Sequence, residues 1–420
     1  MIARIDAERL QGELDTLASF SDHPPPAVTR VVFGDMDLRA RAYLKSLFAD
    51  ASLIVHEDPV GNTFARWTGA NPSLAPIATG SHCDAIPNAG RFDGTVGVLG
   101  GLEAIRALQR AGFTPERSID LILFTSEEPT RFGIGCLGSR LLASAVDHLV
   151  GETLTSGGQS LNQIRSSAGF PGSLADVPLR GGAYAAFVEL HIEQGPILER
   201  ERIDIGVVTA IAAPASFRLF VEGEGGHAGA VLMPDRHDAF LAAAEIALAI
   251  EAIARSSGSN DTVATTGVCE LFPGAINSVP SRARLDVDVR DIDEARRDRV
   301  LLDIERASDT IAARRGVTVR REPINADPPA HCAPTIVDAI EGACNARGLR
   351  HRRVISRAYH DSLFMSRIAP TGMIFIPCRD GISHRPDEYA APEAIARGAV
   401  VLADTLADLA AEGGRGEGLV

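Results

Sequence analysis

The stretch AAFVELHIEQG, residues 185–195, runs an apolar segment of strand length directly into His191. The same kind of junction recurs in APIATGSHCD (75–84), LILFTSEEP (121–129) and GMIFIPCRDGISHRPDE (372–388). In an open α/β sheet, side chains that follow parallel strands meet at the carboxyl edge, where such folds build their sites. One such junction is common by chance, but four in one chain predict a hydrolytic metal centre on an α/β sheet.

The junctions supply histidines and acids as candidate ligands, and a further acid lies in GRFDG; the set is His82, Asp93, the pair Glu127–Glu128, His191 and His384. Imidazole and carboxylate donors without a thiolate suit Zn²⁺, Mn²⁺ or Co²⁺ and argue against a structural zinc site. Three histidines and two acids are too many for one tetrahedral catalytic metal that keeps a position open. They fit two metals that share a carboxylate and lie about 3.5–4 Å apart.

Each motif also has a plainer interpretation. On its own, the HCD motif at 82–84 more often contains a structural histidine capped by a neighbouring acid than a metal ligand. If His82 is a ligand, Asp84 is expected to hold its second ring nitrogen. Asp93 alone would be read as a turn residue among glycines. Glu127 and Glu128 are harder to explain, because two adjacent carboxylates at the end of a buried strand would repel each other without a cation. If one binds metal and the other acts as a base, the repulsion is resolved.

Length, charge and cysteine usage narrow the class of protein. The chain has 420 residues, which predicts two domains rather than one core. A net charge of −14 disfavours nucleic acid and anionic membranes as partners, since both need clustered Lys or Arg. The N-terminal segment lacks the apolar run of a signal peptide, and no window is long enough to span a bilayer. With six cysteines and no CxxC pair, we expect reduced thiols and a cytoplasmic location.

The order of helix-like and strand-like segments predicts an α/β fold with an insertion. Residues 1–211 and 329–420 are expected to form a catalytic domain with a mixed, mostly parallel sheet and helices on both faces. Between them, residues 212–328 show alternating strands and two long helices, which predict a small α+β domain. The tract 151–182 is rich in Gly and Ser, and we expect it to be a surface excursion. The tail, 412–420, is expected to be disordered.

The chain resembles the M20 peptidase-like amidohydrolases, in the hydantoinase/carbamoylase branch. The motifs that carry this resemblance are GSHCDAIPNAGRFDG, FTSEEPTRFG, VELHIEQGP, GGHAG, GAINSVP and GISHRPDE. They stand in the family's order, and the resemblance covers about residues 1–410. It implies a hydrolase of linear amide or ureido C–N bonds that binds two divalent metal ions per subunit, Mn²⁺ or Zn²⁺, with Co²⁺ or Ni²⁺ as possible substitutes in vitro. It also implies a homodimer formed through the inserted domain, which acts as a lid.

The resemblance assigns a role to each candidate metal ligand: His82, Asp93 and His191 hold one ion, and Asp93, Glu128 and His384 hold the other, with Asp93 as the bridge. Glu127 is the implied general base. His227 in GGHAG is the implied lid histidine, which reaches into the partner subunit's site and polarises the substrate carbonyl.

Gln194, Asn277 and Arg290 match the family's substrate-binding positions, with Arg290 as the fork for a substrate carboxylate. A plainer interpretation pairs Arg290 with Asp286 or Asp288 on its own strand.

Several segments look closest to the plant-type ureidoglycolate amidohydrolases, among them SRAYHDSLFMSRIAPTGMIFIPC (356–378). The run Tyr359-His360-Asp361 in this stretch replaces the small-residue version, GAGHD, that is common in carbamoylases and allantoate hydrolases. The tyrosine adds bulk and a hydroxyl, which fits a shorter, more polar substrate, and Tyr359 and His360 are the implied substrate-binding residues of this stretch. The resemblance therefore implies hydrolysis of (S)-ureidoglycolate to hydroxyglycine, and then glyoxylate, with ammonia and CO₂, in purine catabolism. The alternatives are an N-carbamoyl-L-amino acid or allantoate amidohydrolase with the same machinery. A catalytically inactive metal-binding relative is a third possibility, although such a module would not need Glu127.

Overall fold

The computed structural model describes residues 3–411, so the tail at 412–420 lies outside the described residues. Within that range there are twelve α-helices: α1 Ala7–Ser19, α2 Asp35–Asp50, α3 Thr95–Arg110, α4 Leu137–Leu142, α5 Val150–Thr153, α6 Leu161–Ser167, α7 Ile197–Glu201, α8 Ala239–Arg255, α9 Glu294–Arg315, α10 Pro334–Ala346, α11 Asp361–Met365 and α12 Pro392–Ala410. None of these helices combines the length and the apolar character needed to cross a membrane.

The same described range contains nineteen strands: β1 Val28–Arg30, β2 Ile54–Glu57, β3 Thr63–Trp67, β4 Ile77–His82, β5 Ala85–Ala89, β6 Ile119–Phe124, β7 Thr155–Ser156, β8 Gln159–Ser160, β9 Ala186–Ile192, β10 Ile205–Ile211, β11 Ala213–Glu222, β12 Gly226–His227, β13 Val263–Phe272, β14 Ser278–Val279, β15 Arg282–Asp291, β16 Thr318–Ala326, β17 Ala330–His331, β18 His351–Ser356 and β19 Thr371–Ile376.

The main sheet has nine strands, eight of them in the order β17-β10-β19-β9-β4-β6-β3-β2, while β18 pairs with β10. The four central strands, β19, β9, β4 and β6, run parallel. Strands β10 and β3 pair antiparallel with the outer two of them, and β2 pairs antiparallel with β3. In register, His82 lies opposite Phe124 and Phe375 opposite His191, so the carboxyl ends of the parallel strands share one edge.

Helices cover both faces of this sheet, as side chains on β9 show. Leu190 points toward α3 and α12, because a Cβ on Gly100 or Gly398 would lie 2.7 Å from its methyl carbons. Phe187 lies three positions earlier and therefore on the opposite face. There it packs with Phe124 at a ring-centroid distance of 5.8 Å, in a core that α4 and α11 also enter. The catalytic-domain fold predicted from the sequence is thus confirmed.

The chain divides into two compact units. The first comprises the chain up to Thr209, His331–Ser356 and the chain from His360 onward, and the second comprises Ala210–Ala330 with Arg357–Tyr359. In the second unit, an antiparallel sheet of order β13-β15-β11-β16 carries α8 and α9, so the predicted inserted α+β fold is also confirmed.

Strand β15 shows how that second unit is built. Its buried residues, Ala283, Leu285, Val287 and Val289, alternate with half-buried ones, and they share a core with Ile246 of α8 and Ile304 of α9. Asp286, Asp288 and Arg290 therefore lie on the sheet face opposite the helices.

Most residues of the tract 151–182 are exposed, as its composition led us to expect, but a few buried side chains anchor it to the core. Leu161, Ile164 and Phe170 are buried in the same core as Phe124. Ser160 caps the N-terminus of α6: its hydroxyl accepts a hydrogen bond from Gln163 N, while the Gln163 side chain accepts one from Ser160 N. The motif Ser-x-x-Gln at 160–163 is the sequence signature of this capping box. The glycines and serines around it made the segment look like a loop, so the helix was not predicted.

Candidate metal centre

The candidate ligands gather at the carboxyl edge of the parallel strands. His82 ends β4, His191 is the last residue but one of β9, and Glu128 follows the end of β6 by four residues. Asp93 lies in the loop before α3, next to Gly94, which has a φ of 65°. A Cβ on Gly94 would lie 2.5 Å from His82 Nε2, so only glycine lets this loop approach the end of β4 so closely.

Strained backbone accompanies the loops at this edge. Ser126, Gln194 and His384 all have positive φ angles, of 57°, 54° and 58°. Such left-handed conformations cost a non-glycine residue of order 1–3 kcal/mol and cluster at functional sites. Each of the three follows a strand or precedes the acidic pair, so each turns the chain where a candidate side chain must face the edge.

The carboxylate of Asp93 lies at the middle of the cluster. Its Oδ1 is 3.5 Å from His82 Nε2 and 3.1 Å from His191 Nε2, and its Oδ2 is 3.4 Å from His384 Nε2. His384 Nε2 in turn lies 3.1 Å from Glu128 Oε1. Asp93 therefore belongs to two groups of possible metal ligands, one through each carboxylate oxygen.

Backbone hydrogen bonds fix the ring orientation of two histidines. His82 Nδ1 lies 3.0 Å from the Asp84 carbonyl oxygen, and His191 Nδ1 lies 2.9 Å from the Ile192 carbonyl oxygen. Each Nδ1 therefore carries the hydrogen, and in the neutral rings both Nε2 atoms are acceptors. His191 Nε2 takes the backbone N–H of Gly94 at 3.0 Å and also lies 3.1 Å from Asp93 Oδ1, while His82 Nε2 lies 3.5 Å from the same oxygen. Two acceptor nitrogens beside an anionic oxygen favour a positive charge between them.

The spacing of these atoms fits a divalent cation. Bonds of about 2.1 Å from a metal to nitrogen or oxygen place neighbouring ligand atoms roughly 3.0–3.4 Å apart, for octahedral and tetrahedral geometry respectively. The four nitrogen–oxygen distances around Asp93 and His384 are 3.1–3.5 Å, close to this range. The chemistry and the spacing of the donors both suit a metal ion on each side of Asp93.

The same side chains perturb one another's pKa values. Burial alone would raise the pKa of Asp93, but hydrogen bonds from the three histidines hold it well below its usual range. Hydrogen bonds to Asp93 and Glu128 raise the pKa of His384 to about 11. Burial opposes the charged form of His82, yet the charge of Glu127 and the contact with Asp93 keep its pKa well above the ordinary value. The cluster thus favours positive charge beside Asp93, as a cation site requires.

Glu127 contacts the cluster without belonging to either group that shares Asp93. Its Oε2 lies 3.7 Å from His82 Nε2, and its Oε1 accepts a hydrogen bond from the Cys136 thiol at 3.5 Å. Burial, opposed by the charge of His82 but reinforced by that of Glu128, raises the pKa of Glu127 well above its usual value. A carboxylate with a raised pKa beside a cation site is suited to taking up and returning a proton.

Asp84 acts differently from the sequence-based expectation. Its carboxylate lies 3.8 Å from His82 Nδ1, which is too far for a hydrogen bond, so its carbonyl holds the ring instead. The two carboxylate oxygens accept the backbone N–H groups of Glu127 and Glu128 at 3.2 and 3.0 Å. Asp84 therefore ties the end of β4 to the acidic pair that follows β6.

The sequence analysis missed two residues that support Asp93. Ser383 Oγ lies 2.7 Å from Asp93 Oδ2 and 2.8 Å from Glu388 Oε2. Burial and the charge of Asp93 raise the pKa of Glu388 to about 7. Both residues lie in GISHRPDE beside His384, so their place in that motif was the available signal. Gln194, assigned to substrate binding, donates from Nε2 to Asp93 Oδ2 at 2.6 Å.

Behind the cluster, His360 and Glu189 form a second buried polar group with His191. The rings of His191 and His360 are 4.5 Å apart, and His360 Nε2 lies 3.0 Å from Ser356 Oγ. Glu189 accepts hydrogen bonds from the hydroxyls of Ser81 and Ser362. These contacts hold the strand ends that carry His82 and His191, and the analysis had not singled out Glu189.

The second unit brings His227 and Asn277 together. His227 is exposed on β12, which pairs with β14, and Ala228 N donates to the Asn277 carbonyl oxygen at 2.9 Å. His227 Nδ1 accepts a hydrogen bond from Gly229 N at 3.1 Å. The ring is therefore oriented by its own loop.

Arg290 of the second unit is bonded within its own sheet. Its Nε donates to Asp288 Oδ1 at 2.8 Å, and one Nη donates to the Arg357 carbonyl oxygen at 3.2 Å. The guanidinium carbon lies 5.8 Å from the centre of the Tyr359 ring. The pairing with Asp288 expected from the plainer interpretation is therefore present, next to a tyrosine assigned to substrate binding.

Comparison with known proteins gives consistent matches along the chain. The family model for peptidase family M20/M25/M40 matches residues 78–408. Ureidoglycolate hydrolase of Arabidopsis thaliana is 55% identical over 413 residues, which cover 96% of this chain and 87% of that protein. An N-carbamoyl-L-amino acid amidohydrolase of Geobacillus stearothermophilus is 37% identical over 407 residues, covering 97% and 99%. The crystal structure of AtUAH in complex with (S)-hydroxyglycine has a TM-score of 0.89 at 54% identity, covering 96% of this chain and 98% of that chain, and a complex with glyoxylate gives the same values.

Proposed function

Because the chain belongs to peptidase family M20/M25/M40, whose members depend on metal ions, we propose that it is a dinuclear amidohydrolase acting on (S)-ureidoglycolate. Its similarity to the Arabidopsis ureidoglycolate hydrolase along nearly the whole chain carries the choice of substrate. The complexes of AtUAH contain hydroxyglycine and glyoxylate, which are what hydrolysis of ureidoglycolate would yield. The reaction consumes water and releases ammonia and CO₂ together with hydroxyglycine, which loses a second ammonia to give glyoxylate.

Two divalent ions, Mn²⁺ or Zn²⁺, would be held by the side chains around Asp93: His82 and His191 with one carboxylate oxygen, and Glu128 and His384 with the other. The shared carboxylate and the ligand spacing of 3.1–3.5 Å support this assignment. When bound, the ions would polarise the ureido carbonyl and lower the pKa of water. Asp84 and Glu189 would keep the strand ends, and hence the ligands, in place.

Glu127 would serve as the general base. Its Oε2, turned toward His82, would take the proton from the attacking water and return it to the leaving nitrogen. The hydrogen bond from Cys136 to Oε1 supports this role, because it leaves Oε2 as the oxygen that faces the cluster. Tyr359, His360 and Gln194 would complete the substrate pocket, with Asn277 and Arg290 contributed by the segment 212–328.

That inserted segment, 212–328, would act as a lid and as the interface of a homodimer. Strand β13 stands at one edge of its sheet, with no further strand beside it among the described residues. Exposed apolar side chains occupy this strand, helix α8 and the loop after the strand: Leu241, Leu248, Val263, Leu271, Phe272 and Ile276. An exposed apolar surface beside an open strand edge favours pairing with a second copy. His227 would then reach the partner's site and polarise the substrate carbonyl.

The decisive experiment compares kcat/KM for (S)-ureidoglycolate, allantoate and several N-carbamoyl-L-amino acids, with the protein loaded with Mn²⁺ or Zn²⁺. We expect ureidoglycolate to be preferred by at least tenfold, about 1.4 kcal/mol in transition-state stabilisation. A preference for an N-carbamoyl-L-amino acid would favour the alternative supported by the Geobacillus relative. No turnover of any of these substrates, with both metals bound, would identify an inactive metal-binding relative.

We further propose a cytoplasmic location. All six cysteines are free thiols: Cys83, Cys136, Cys269, Cys332, Cys344 and Cys378. Unpaired cysteines are typical of a reducing compartment.

A further inference from the structure

Glu388 joins two loops that are far apart in sequence. One loop carries Asp93 and the other carries His384, and neither position is part of a regular helix or strand. Glu388 Oε1 accepts the backbone N–H groups of Phe92 and Asp93 at 2.7 and 3.2 Å. Its Oε2 lies 2.8 Å from the hydroxyl of Ser383, the residue before His384. A single carboxylate therefore links the backbone at Asp93 to the side chain of Ser383, which directly precedes His384.

The packing around Glu388 is too tight for this contact to be incidental. The residue is only 4% exposed. A Cβ on Gly90 would lie 2.3 Å from Glu388 Cβ and Cδ, so the absence of a side chain at residue 90 makes room for the carboxylate. The loop before α3 is thus shaped around Glu388, and the backbone of that loop would be displaced if Glu388 moved.

The hydrogen bonds of Ser383 show how Glu388 is connected to Asp93. The Ser383 hydroxyl has one hydrogen and lies within hydrogen-bond distance of both Asp93 Oδ2 and Glu388 Oε2. If Ser383 donates to Asp93, the group at residue 388 must itself donate to the Ser383 oxygen. A neutral side chain with one acceptor and one donor at residue 388 satisfies every contact. Glutamine has both groups in nearly the same positions.

We propose that Glu388 is a positioning residue that sets the distance between Asp93 and His384, and so the affinity of the site for the metal ion they share. The inference rests on the proposed dinuclear function. Glu388 reaches no candidate ligand atom directly, and it acts through the Phe92–Asp93 backbone and through Ser383. Removing such a support for ligands typically lowers metal affinity or activity by 10–100-fold.

The test uses the full-length protein with Glu388→Ala, Glu388→Gln and, as a matched control, Asp387→Ala. Asp387 is the neighbouring acid; it is exposed and pairs with Arg385. The metal-stripped proteins are titrated with Mn²⁺ in competition with a fluorescent chelator, and kcat and KM are measured at saturating Mn²⁺. We expect Glu388→Ala to weaken the lower-affinity Mn²⁺ by about 10–100-fold. Its kcat should fall while KM stays within about twofold, since no substrate contact is lost.

Glu388→Gln should stay within about threefold of wild type in Mn²⁺ affinity, because the amide supplies the same acceptor and a donor to Ser383. Wild-type affinity in Glu388→Ala, an equal loss in Glu388→Gln, or an equal loss in Asp387→Ala would each overturn the proposal. If Glu388→Ala does not fold, Gly90→Ala tests the same contact from the other side, and normal Mn²⁺ affinity there would also overturn it. The titration needs no substrate, so it decides the role of Glu388 even if ureidoglycolate is not turned over.

Discussion

The carboxyl edge of the main sheet and the candidate residues of the second unit differ in how firmly the chain holds them. His82, Asp93 and His191 are at most 8% exposed. Each histidine donates to a backbone carbonyl oxygen, and Asp93 accepts a hydrogen bond from Gln194. His227, by contrast, is exposed on a strand of two residues. Arg290 is already bonded to Asp288 on its own sheet.

The candidate ligands at the sheet edge are therefore arranged before any metal ion binds, whereas His227 and Arg290 still need a substrate or a partner subunit to act on. At the sheet edge, lone pairs and carboxylates converge, so only a cation is required to complete the arrangement. In the second unit, neither His227 nor Arg290 belongs to a group of possible metal ligands within residues 3–411. His227 accepts a hydrogen bond from its own loop, and Arg290 donates one to its own strand. Substitutions at the edge should therefore affect metal binding, and substitutions in the second unit should leave metal binding unchanged and affect the handling of substrate.

The largest expected effect is that of Asp93→Ala. The variant should lose at least one of two metal ions per chain, because both ions would share this carboxylate. Activity should fall by more than roughly 10⁴-fold, since each ion contributes several kcal/mol to transition-state stabilisation. Elemental analysis and steady-state kinetics measure both quantities. Two ions per chain in the variant would contradict a shared carboxylate, and Asp387→Ala serves as the control for loss of an acid near the site.

The next effect distinguishes two adjacent acids. Glu127→Gln should keep both metal ions and lose 10²–10⁴-fold in kcat, because glutamine has nearly the same shape but cannot accept the proton. Glu128→Gln should instead weaken binding of the ion that His384 also contacts. Measured side by side, metal content and kcat should therefore separate the two variants. Near-normal kcat in Glu127→Gln with both ions bound would remove Glu127 from the mechanism.

Much of the sheet edge could be predicted because the end of a strand is marked by a few consecutive residues in the sequence. An apolar segment followed by His or Glu places a side chain at the carboxyl edge whatever the rest of the chain does, and this held for β4, β6 and β9. The parallel strands were predicted from the alternation of helix-like and strand-like segments along the chain. The inserted α+β unit was predicted from its alternating strands and two long helices, and the family motifs supported both predictions.

The supporting contacts could not be predicted, since they join positions that only folding brings together. Glu388 reaches Phe92 across 296 residues, and Ser362 reaches Glu189 across 173. In the same way, His82 Nδ1 donates to the carbonyl oxygen of Asp84 rather than to its carboxylate, and the backbone geometry of the folded chain decides which oxygen it meets. The buried apolar residues of the tract 151–182 were missed because Gly and Ser dominate its composition.

A smaller effect tests whether His227 acts in the partner's site. His227→Ala should keep both metal ions and lose roughly 10²–10³-fold in kcat, the usual effect of removing one donor to a developing oxyanion. Mixed with inactive Glu127→Gln, it should regain activity. About half of randomly exchanged dimers would be mixed, each with one intact site, so recovery of about a quarter of wild-type activity is the ceiling.

The control for this mixture is each variant incubated alone through the same exchange procedure, which should stay inactive. Subunit exchange is followed independently with a tagged chain and native mass spectrometry. Full exchange without recovery would mean that His227 acts within its own chain or has no catalytic part.

The smallest effect concerns Arg290, whose planar guanidinium can clamp a carboxylate in a two-point contact that lysine cannot reproduce. Arg290→Lys should raise KM for ureidoglycolate by about tenfold, since a lost uniform contact appears chiefly in KM. A neutral ureido analogue without the carboxylate should be nearly unaffected. Arg218→Lys is a matched control, because Arg218 on β11 pairs with Asp286 on the same sheet. Equal losses for both substrates, or the same loss in Arg218→Lys, would show that Arg290 braces the sheet through Asp288 and does not read the substrate.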